Sequence, residues 1–312
     1  MDMSFMNADS YIDGMLDRTK HYFSVDELNR LKSATVAIVG VGASGSMVAE
    51  LLARWGIPRF RLLDMDTYEL SNINRQIFAT SKTLGRWKAE VAAERIREIN
   101  PFAKIDSVIS EKLNLANAES FVKGATIVVN ASDTRSAFYL IHNNAHRYRV
   151  PVVEGHGWKM TGIKIRVFDY RNPTQPKYNE PFRSRILNRL TAPLFEVSRM
   201  DFATVTQAFI DNMDTGQEMS AGSLGTTTTL VGCAIATEAV KLITGRGVTL
   251  CHPLEAHLDL FSMRMHVGHK NSLPNIIVTL RSRRQEIWKN LTRRTCWSTL
   301  ICLANLLGCI RA

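Results

Sequence analysis

Between Thr35 and Asp66 the chain reads TVAIVGVGASGSMVAELLARWGIPRFRLLDMD, and few folds can accommodate that order of residues. The apolar run Val36 to Val39 predicts a buried strand, and Gly40, Gly42 and Gly45 follow it at G-x-G-x-x-G spacing. A helical pattern then runs to Gly56 and Pro58, and a second strand ends on Asp64 and Asp66. Each glycine has a physical task here: a tight turn, room for a phosphate to approach backbone N–H groups, and close packing of helix on strand. The helix start directs unpaired N–H groups and the positive end of its dipole at whatever anion lies over the turn. Asp64 falls about 20 residues after Gly45, where an acidic side chain accepts hydrogen bonds from a ribose. Strand, turn, helix and acid together predict a nucleotide-binding α/β unit.

At 312 residues the chain can bury a large core in one domain with an appendage. The net charge of +10 invites a nucleic-acid partner, but its distribution weakens that inference. From Arg281 onward Arg281, Arg283, Arg284, Lys289, Arg293, Arg294 and Arg311 face Glu286 alone, which leaves the preceding body only mildly basic. Cys233, Cys251, Cys296, Cys302 and Cys309 make no C-x-x-C pair and no zinc spacing, and the N-terminus has no signal-like segment. A reducing, cytoplasmic location is expected. Thr295 to Ile310 is the one membrane candidate; it falls short of the roughly 20 apolar residues of a spanning helix, so docking on the body or a partner is favoured over membrane contact, with an altered reading frame at the end of the gene as the third alternative.

Along the chain, residues 1–33 are polar and helix-compatible and form an N-terminal helical arm. Thr67 to Thr83 is a loop rich in Asn, Ser and Thr that holds Asn72, Asn74, Arg75 and Gln76. Leu84 to Asn100 reads as an amphipathic helix with Lys88 in its first turn. A cation there opposes the helix dipole, so Lys88 either reaches solvent or meets an anion; beside Arg75 and a phosphate turn, the anion is preferred. Lys104 to Ser110, Thr126 to Asn130 and Val150 to Glu154 are further strands. Ser132 and Asp133 precede the helix Thr134 to Arg149, so the plain reading of Asp133 is an N-cap. Asp64, Asp66 and Asp133 all fall at carboxyl ends of strands, where doubly wound sheets bind ligands.

From Gly162 the pattern changes. Gly162 to Tyr170 alternates as a strand, and Arg171 to Ser220 is polar and patchily helical at Arg183 to Leu190 and Phe202 to Met213. It is read as a crossing segment over the site. Thr226 to Thr244 is a strongly apolar helix ending at Gly245, and Val248 to Val267 is read as two strands, with Leu258, Leu260 and Met263 to Val267 in the second. The expected fold is α/β: a Rossmann-like doubly wound, mostly parallel sheet, with antiparallel strands added in its C-terminal part.

A pyrophosphate bridge is satisfied by the glycine turn alone. Arg75 and Lys88 on one side, with Asp66 and Asp133 on the other, suit a triphosphate and its Mg²⁺. With LLDMDTYELSNINRQ, the G-x-x-K from Gly85 to Lys88, REINP, ASDTR and SLGTTTTLVGCAIATEAVKLITG, the chain from Asp17 to His269 resembles the ThiF/MoeB/HesA family of ubiquitin-activating-type adenylyltransferases. The resemblance implies an adenylation domain over 34–280, with its crossing segment at 171–222, followed by a basic then apolar tail at 281–312. It implies that Gly40, Gly42, Gly45 and Asp64 hold the α-phosphate and ribose of ATP. Asn72, Arg75 and Lys88 would hold the outer phosphates with support from Gln76, and Asp133 would take Mg²⁺. Family members are typically homodimers in which an N-terminal arginine enters the neighbouring site, and Arg18 is the nearest counterpart, in flanking sequence that departs from the family's usual motif.

The implied reaction turns a carboxylate into an acyl-adenylate with release of pyrophosphate. The substrate would be the C-terminus of a ubiquitin-like or sulfur-carrier protein or another peptide. The zinc-free pattern also resembles the branch of tRNA threonylcarbamoyladenosine dehydratases, whose carboxylate is carried on tRNA. Residues 156–225 contain no cysteine and Cys233 is expected to be a small buried residue, so no thioester step is expected. Two other classes stay open. A nicotinamide-dependent oxidoreductase would leave Arg75, Lys88 and Asp133 without a task, and a catalytically silent dimeric scaffold would not need them.

Overall fold

The computed structural model describes residues 7–158, 161–175, 207, 214 and 224–269. The chain divides into two compact units; one comprises residues 1–180 and 200–267, and the other, residues 181–199 and 268–312, lies outside the described residues except at the end of the last strand. The expected helices Arg183 to Leu190 and Phe202 to Met213 and the tail segment Thr295 to Ile310 likewise fall outside them, save Gln207.

The first unit is built on an eight-stranded sheet of order β3-β2-β1-β4-β5-β6-β7-β8. Its strands are β1 Thr35–Val39, β2 Arg59–Leu63, β3 Lys104–Ile109, β4 Ile127–Asn130, β5 Val152–Trp158, β6 Gly162–Phe168, β7 Leu254–Asp259 and β8 Arg264–His269. The first five pair in parallel; β6 and β7 join antiparallel. This is the expected doubly wound sheet with its antiparallel extension. Strand β1 is buried along its whole length and so is β4, which is why both read as unbroken apolar runs.

Helices α3 Ala43–Arg54 and α4 Lys88–Ile99 cross between β1, β2 and β3, while α5 Ala118–Val122 and α6 Arg135–Tyr148 cross back through β4 to β5. Crossing in opposite directions with one handedness puts the two pairs on opposite faces. The long helix α7, Gly225–Thr244, packs with α3 over β4 to β6. Its Val231 and Ile235 join Val48, Leu52, Ile38 and Val153 in one core, and its share of buried residues marks it as a core helix although it is long and apolar enough to cross a membrane. Gly245, left-handed at φ 75°, ends it as expected.

The N-terminal residues pack onto this body. In α1, Ala8–Met15, Ile12 is buried where a side chain on Gly56 would strike it, and the Tyr11 hydroxyl donates to Ile99 O at 2.8 Å. Helix α2, Val25–Lys32, opens with a capping box of Ser24 and Glu27.

Strand β5 runs on to Trp158 rather than stopping at Glu154, because it pairs with β6 along its whole length, and two further boundaries shift from the sequence reading. Helix α4 begins at Lys88 rather than Leu84, because residues 80–86 form a turn in which Thr83 Oγ1 takes the Thr80 N–H. The last hairpin turns at 260–263, so Leu258 lies in the first strand and Leu260 in the turn. The Asp259 carboxylate accepts N–H groups from Phe261 and Ser262 at 3.0 and 3.1 Å and fixes the reversal there.

Candidate active site

The parallel strands end at one cleft of about 540 Å³. The switch in strand order falls between β1 and β4, where a doubly wound sheet leaves a crevice. Gly40 adopts φ 82°, and an added Cβ would lie 2.8 Å from the Ala131 backbone, so the turn after β1 and the turn after β4 touch only because Gly40 has no side chain. A Cβ on Gly45 would fall 1.9 Å from Gly40 O, which seats α3 directly against the turn. Among the described residues no side chain caps the start of α3, and Gly42, Ala43 and Ser44 line the cleft, giving a helix N-terminus suited to an anion.

Asp64 is buried and ties the turn to β2: it accepts the Val41 N–H at 2.7 Å and the Asp66 N–H at 3.0 Å. Burial pushes its carboxyl above the usual range, and the nearby Lys88 opposes the shift. Lys88 is buried at the first position of α4, with its ammonium 2.8 Å from Asp66 Oδ2 and its backbone N–H on Asp66 O. Arg75 donates to Ser71 O at 2.6 Å and to Asn74 Oδ1 at 3.1 Å. Gln76 is buried, and among the described residues its Oε1 has no hydrogen-bond partner. All four line the cleft with Gly40, Gly42, Asp66 and Asp133.

Three expected site residues do not reach this cleft. Gly45 lies beneath the turn. Asn72 is buried, but its side chain accepts the Glu69 N–H at 3.2 Å and donates to Ser71 Oγ at 3.3 Å, which stabilises the loop carrying Arg75. Arg18 is exposed beyond α1.

The N-cap reading of Asp133 gives way to another arrangement. The cap residue is Thr134, whose side chain makes no capping bond to the helix, and the Ser136 N–H and hydroxyl are both taken by Asp214, at 3.0 and 2.5 Å. Asp214 also pairs with Lys112, a cleft residue, at 2.8 Å. Lys112 and Ser136 hold its carboxyl below the usual range even though burial opposes them. Cys233 is half-buried rather than buried, and lines a second cavity of about 520 Å³ that shares Arg75 and Gln76 with the first.

The Asp133 carboxylate suits Mg²⁺. Among the described residues no three of His, Cys, Asp and Glu gather into a metal cluster, but Mg²⁺ carried by a triphosphate needs only one or two protein carboxylates, because phosphates and water complete its octahedron.

On the far flank, Gly155, His156 and Gly157 of β5 line the cleft. Behind them is a buried polar group absent from the sequence reading. Glu154, fully buried, lies 2.7 Å from Arg166 Nη2 and 3.2 Å from His142 Nε2, and receives Asn130 Nδ2 at 3.3 Å. Burial works against its charge, yet Arg166 and His142 hold it well below the usual carboxylate range. The available signal was an acid inside an otherwise apolar strand, VVEG.

The ThiF family profile matches residues 17–275. The chain is 32% identical over 156 residues to the tRNA threonylcarbamoyladenosine dehydratase of Haemophilus influenzae, covering 49% of this chain and only 59% of that protein. It is 30% identical over 225 residues to the dehydratase of the same name from Escherichia coli, covering 71% of this chain and 73% of that one. With the sulfur carrier protein adenylyltransferase of Thermus thermophilus it shares 29% over 232 residues, 74% and 76% of the two chains. Among solved structures, E. coli MccB with MccA-N7isoASN superposes with TM-score 0.64 at 17% identity, over 82% of this chain and 71% of that one.

Proposed function

The chain belongs to the ThiF family, and on that premise we propose that it is an ATP-dependent adenylyltransferase. It activates a substrate carboxylate as an acyl-adenylate. The observation that carries this reading is one cleft lined together by the glycine turn, Arg75, Lys88 and Asp133. Asp64 receives the ribose, and the turn with the start of α3 receives the α-phosphate. Lys88 exchanges its half-exposed partner Asp66 for the outer phosphates, with Arg75 beside it. Gln76 offers its unpaired Oε1 to a donor on the nucleotide or its bound water.

A carboxylate oxygen then bonds to the α-phosphorus as the bond to the bridging oxygen breaks, and pyrophosphate leaves with the electron pair. No protein nucleophile is required, so the chain's contribution is alignment and charge stabilisation. Asp133 would hold Mg²⁺, which when bound neutralises charge on the triphosphate.

Two substrate classes are supported. The C-terminus of a ubiquitin-like or sulfur-carrier protein is the first, by the likeness to the Thermus thermophilus adenylyltransferase. A tRNA-borne carboxylate is the second, by the likeness to the two dehydratases, and both begin with the same adenylation. The enzyme acts in the cytoplasm as a homodimer, with Arg18 of one protomer reaching the other's cleft. Incubation with MgATP and labelled pyrophosphate, first with candidate carrier proteins and then with total tRNA, tests the proposal. Substrate-dependent exchange of label into ATP is expected with one class. Selective binding of NAD over MgATP would reverse the reading.

A further inference from the structure

The order β2-β1-β4-β5 sets His156 on the opposite flank of the cleft from Asp64. With the ribose at the end of β2 and the phosphates over the turn after β1, the flank formed by β4 and β5 is left for the incoming acid. His156 is the ring that faces it. In the antiparallel pairing of β5 with β6, Glu154 lies opposite Arg166 and His156 opposite Lys164. Arg166 Nη2 stands 3.0 Å from His156 Nε2 and 2.7 Å from Glu154 Oε1. A guanidinium can only donate, so Nε2 must accept, and the neutral ring carries its proton on Nδ1. Among the described residues Nδ1 has no hydrogen-bond partner.

We propose that His156 is the substrate-side hydrogen-bond donor of the cleft, contacting the acyl oxygen that becomes the carbonyl of the adenylate, and that Arg166 and Glu154 are the positioning residues that fix its tautomer. The inference rests on the adenylation reading above. A neutral donor suits this step. As a carboxylate oxygen bonds to phosphorus, the acid loses its charge; a cation in contact would hold that charge in the ground state, whereas an N–H group serves the carbonyl as well. The groups facing His156 are Glu154 on its own strand, Arg166 and Lys164 on β6, Glu255 on β7 and the Phe138 ring on α6. Burial first, then Arg166, pushes the imidazole down to about 4, so it stays neutral at physiological pH. Glu154 offsets the Arg166 charge and is held in turn by Asn130, whose Oδ1 takes the cleft residue Ser132 at 2.7 Å.

The test uses two nucleotide probes, 5′-O-(N-glycylsulfamoyl)adenosine, which carries an acyl carbonyl, and 5′-O-sulfamoyladenosine, which lacks it. His156→Ala is expected to weaken binding of the first by about tenfold, the size of one lost hydrogen bond, and to leave the second unchanged. Equal loss for both probes, or loss for neither, overturns the role of His156. Failure of the unaltered protein to bind either probe overturns the adenylation reading itself, and is a separate result. Nitrogen NMR of ¹⁵N-histidine-labelled protein reads the positioning role. A neutral Nδ1–H ring is expected for His156, moving toward Nε2–H in the Arg166→Met/Glu154→Gln variant, which removes both members of that ion pair together and leaves Lys164 and Glu255 paired with each other. An Nε2–H ring in the unaltered protein, or an unmoved tautomer in a folded variant, overturns it.

Discussion

Lys88 is 7% exposed, and its partner Asp66 is 54% exposed. That asymmetry separates activity from stability. Removing the lysine leaves a carboxylate that water can solvate, so little folding energy depends on the pair, while the charge proposed to meet the outer phosphates is lost. Lys88→Ala and Arg75→Ala should each lower ATP–pyrophosphate exchange by about a hundred- to a thousandfold, by analogy with deleted oxyanion donors, with melting temperatures close to the parent's by calorimetry.

Acid should act through the far flank instead. His156 takes up a proton near its ordinary 6.5 when unfolded but only near about 4 when folded. Between those values acidification favours the unfolded chain, so the stability that neutral His156 retains above pH 6.5 is lost on the way down. Glu154, also depressed by folding, adds a further loss below its ordinary 4.5. Thermal melts taken across this window should therefore fall with pH, and His156→Gln should flatten the upper part of the slope.

Helix α6 shows what an element can owe to residues far away in sequence. Its first turn is capped by Asp214, 78 residues beyond Ser136, which also holds Lys112 at the cleft. Asp214→Ala should cost about 1 kcal/mol, as for other lost caps, measurable by urea denaturation, with Lys112 released from its partner. Local signals made α3, its glycine turn and the strand-end acids legible in the sequence, since each lies within a single βαβ unit. The start of α7 was equally plain from its apolar run. The last hairpin was misplaced because Leu258 and Leu260 alternate like one strand, and the turn set by Asp259 interrupts them. Asp214 on Ser136 and Arg166 between Glu154 and His156 are pairings between distant segments, which no short window of sequence contains.

At the scale of the molecule, Arg18 lies outside its own cleft, so its proposed task requires a second copy. Co-expressing an Arg18→Ala chain with a Lys88→Ala chain should restore exchange activity that neither variant has alone, because each mixed dimer keeps one site with both residues. No recovery in mixed dimers purified by two tags would remove Arg18 from the reaction. The sheet itself changes character at β5, parallel toward the proposed nucleotide side and antiparallel beyond. On the proposed reading, the antiparallel part of the sheet can therefore change to suit a new acid while the parallel part that would handle ATP stays as it is. Grafting β5 through β8 from a relative with a different acceptor is accordingly the shortest route to retargeting this scaffold.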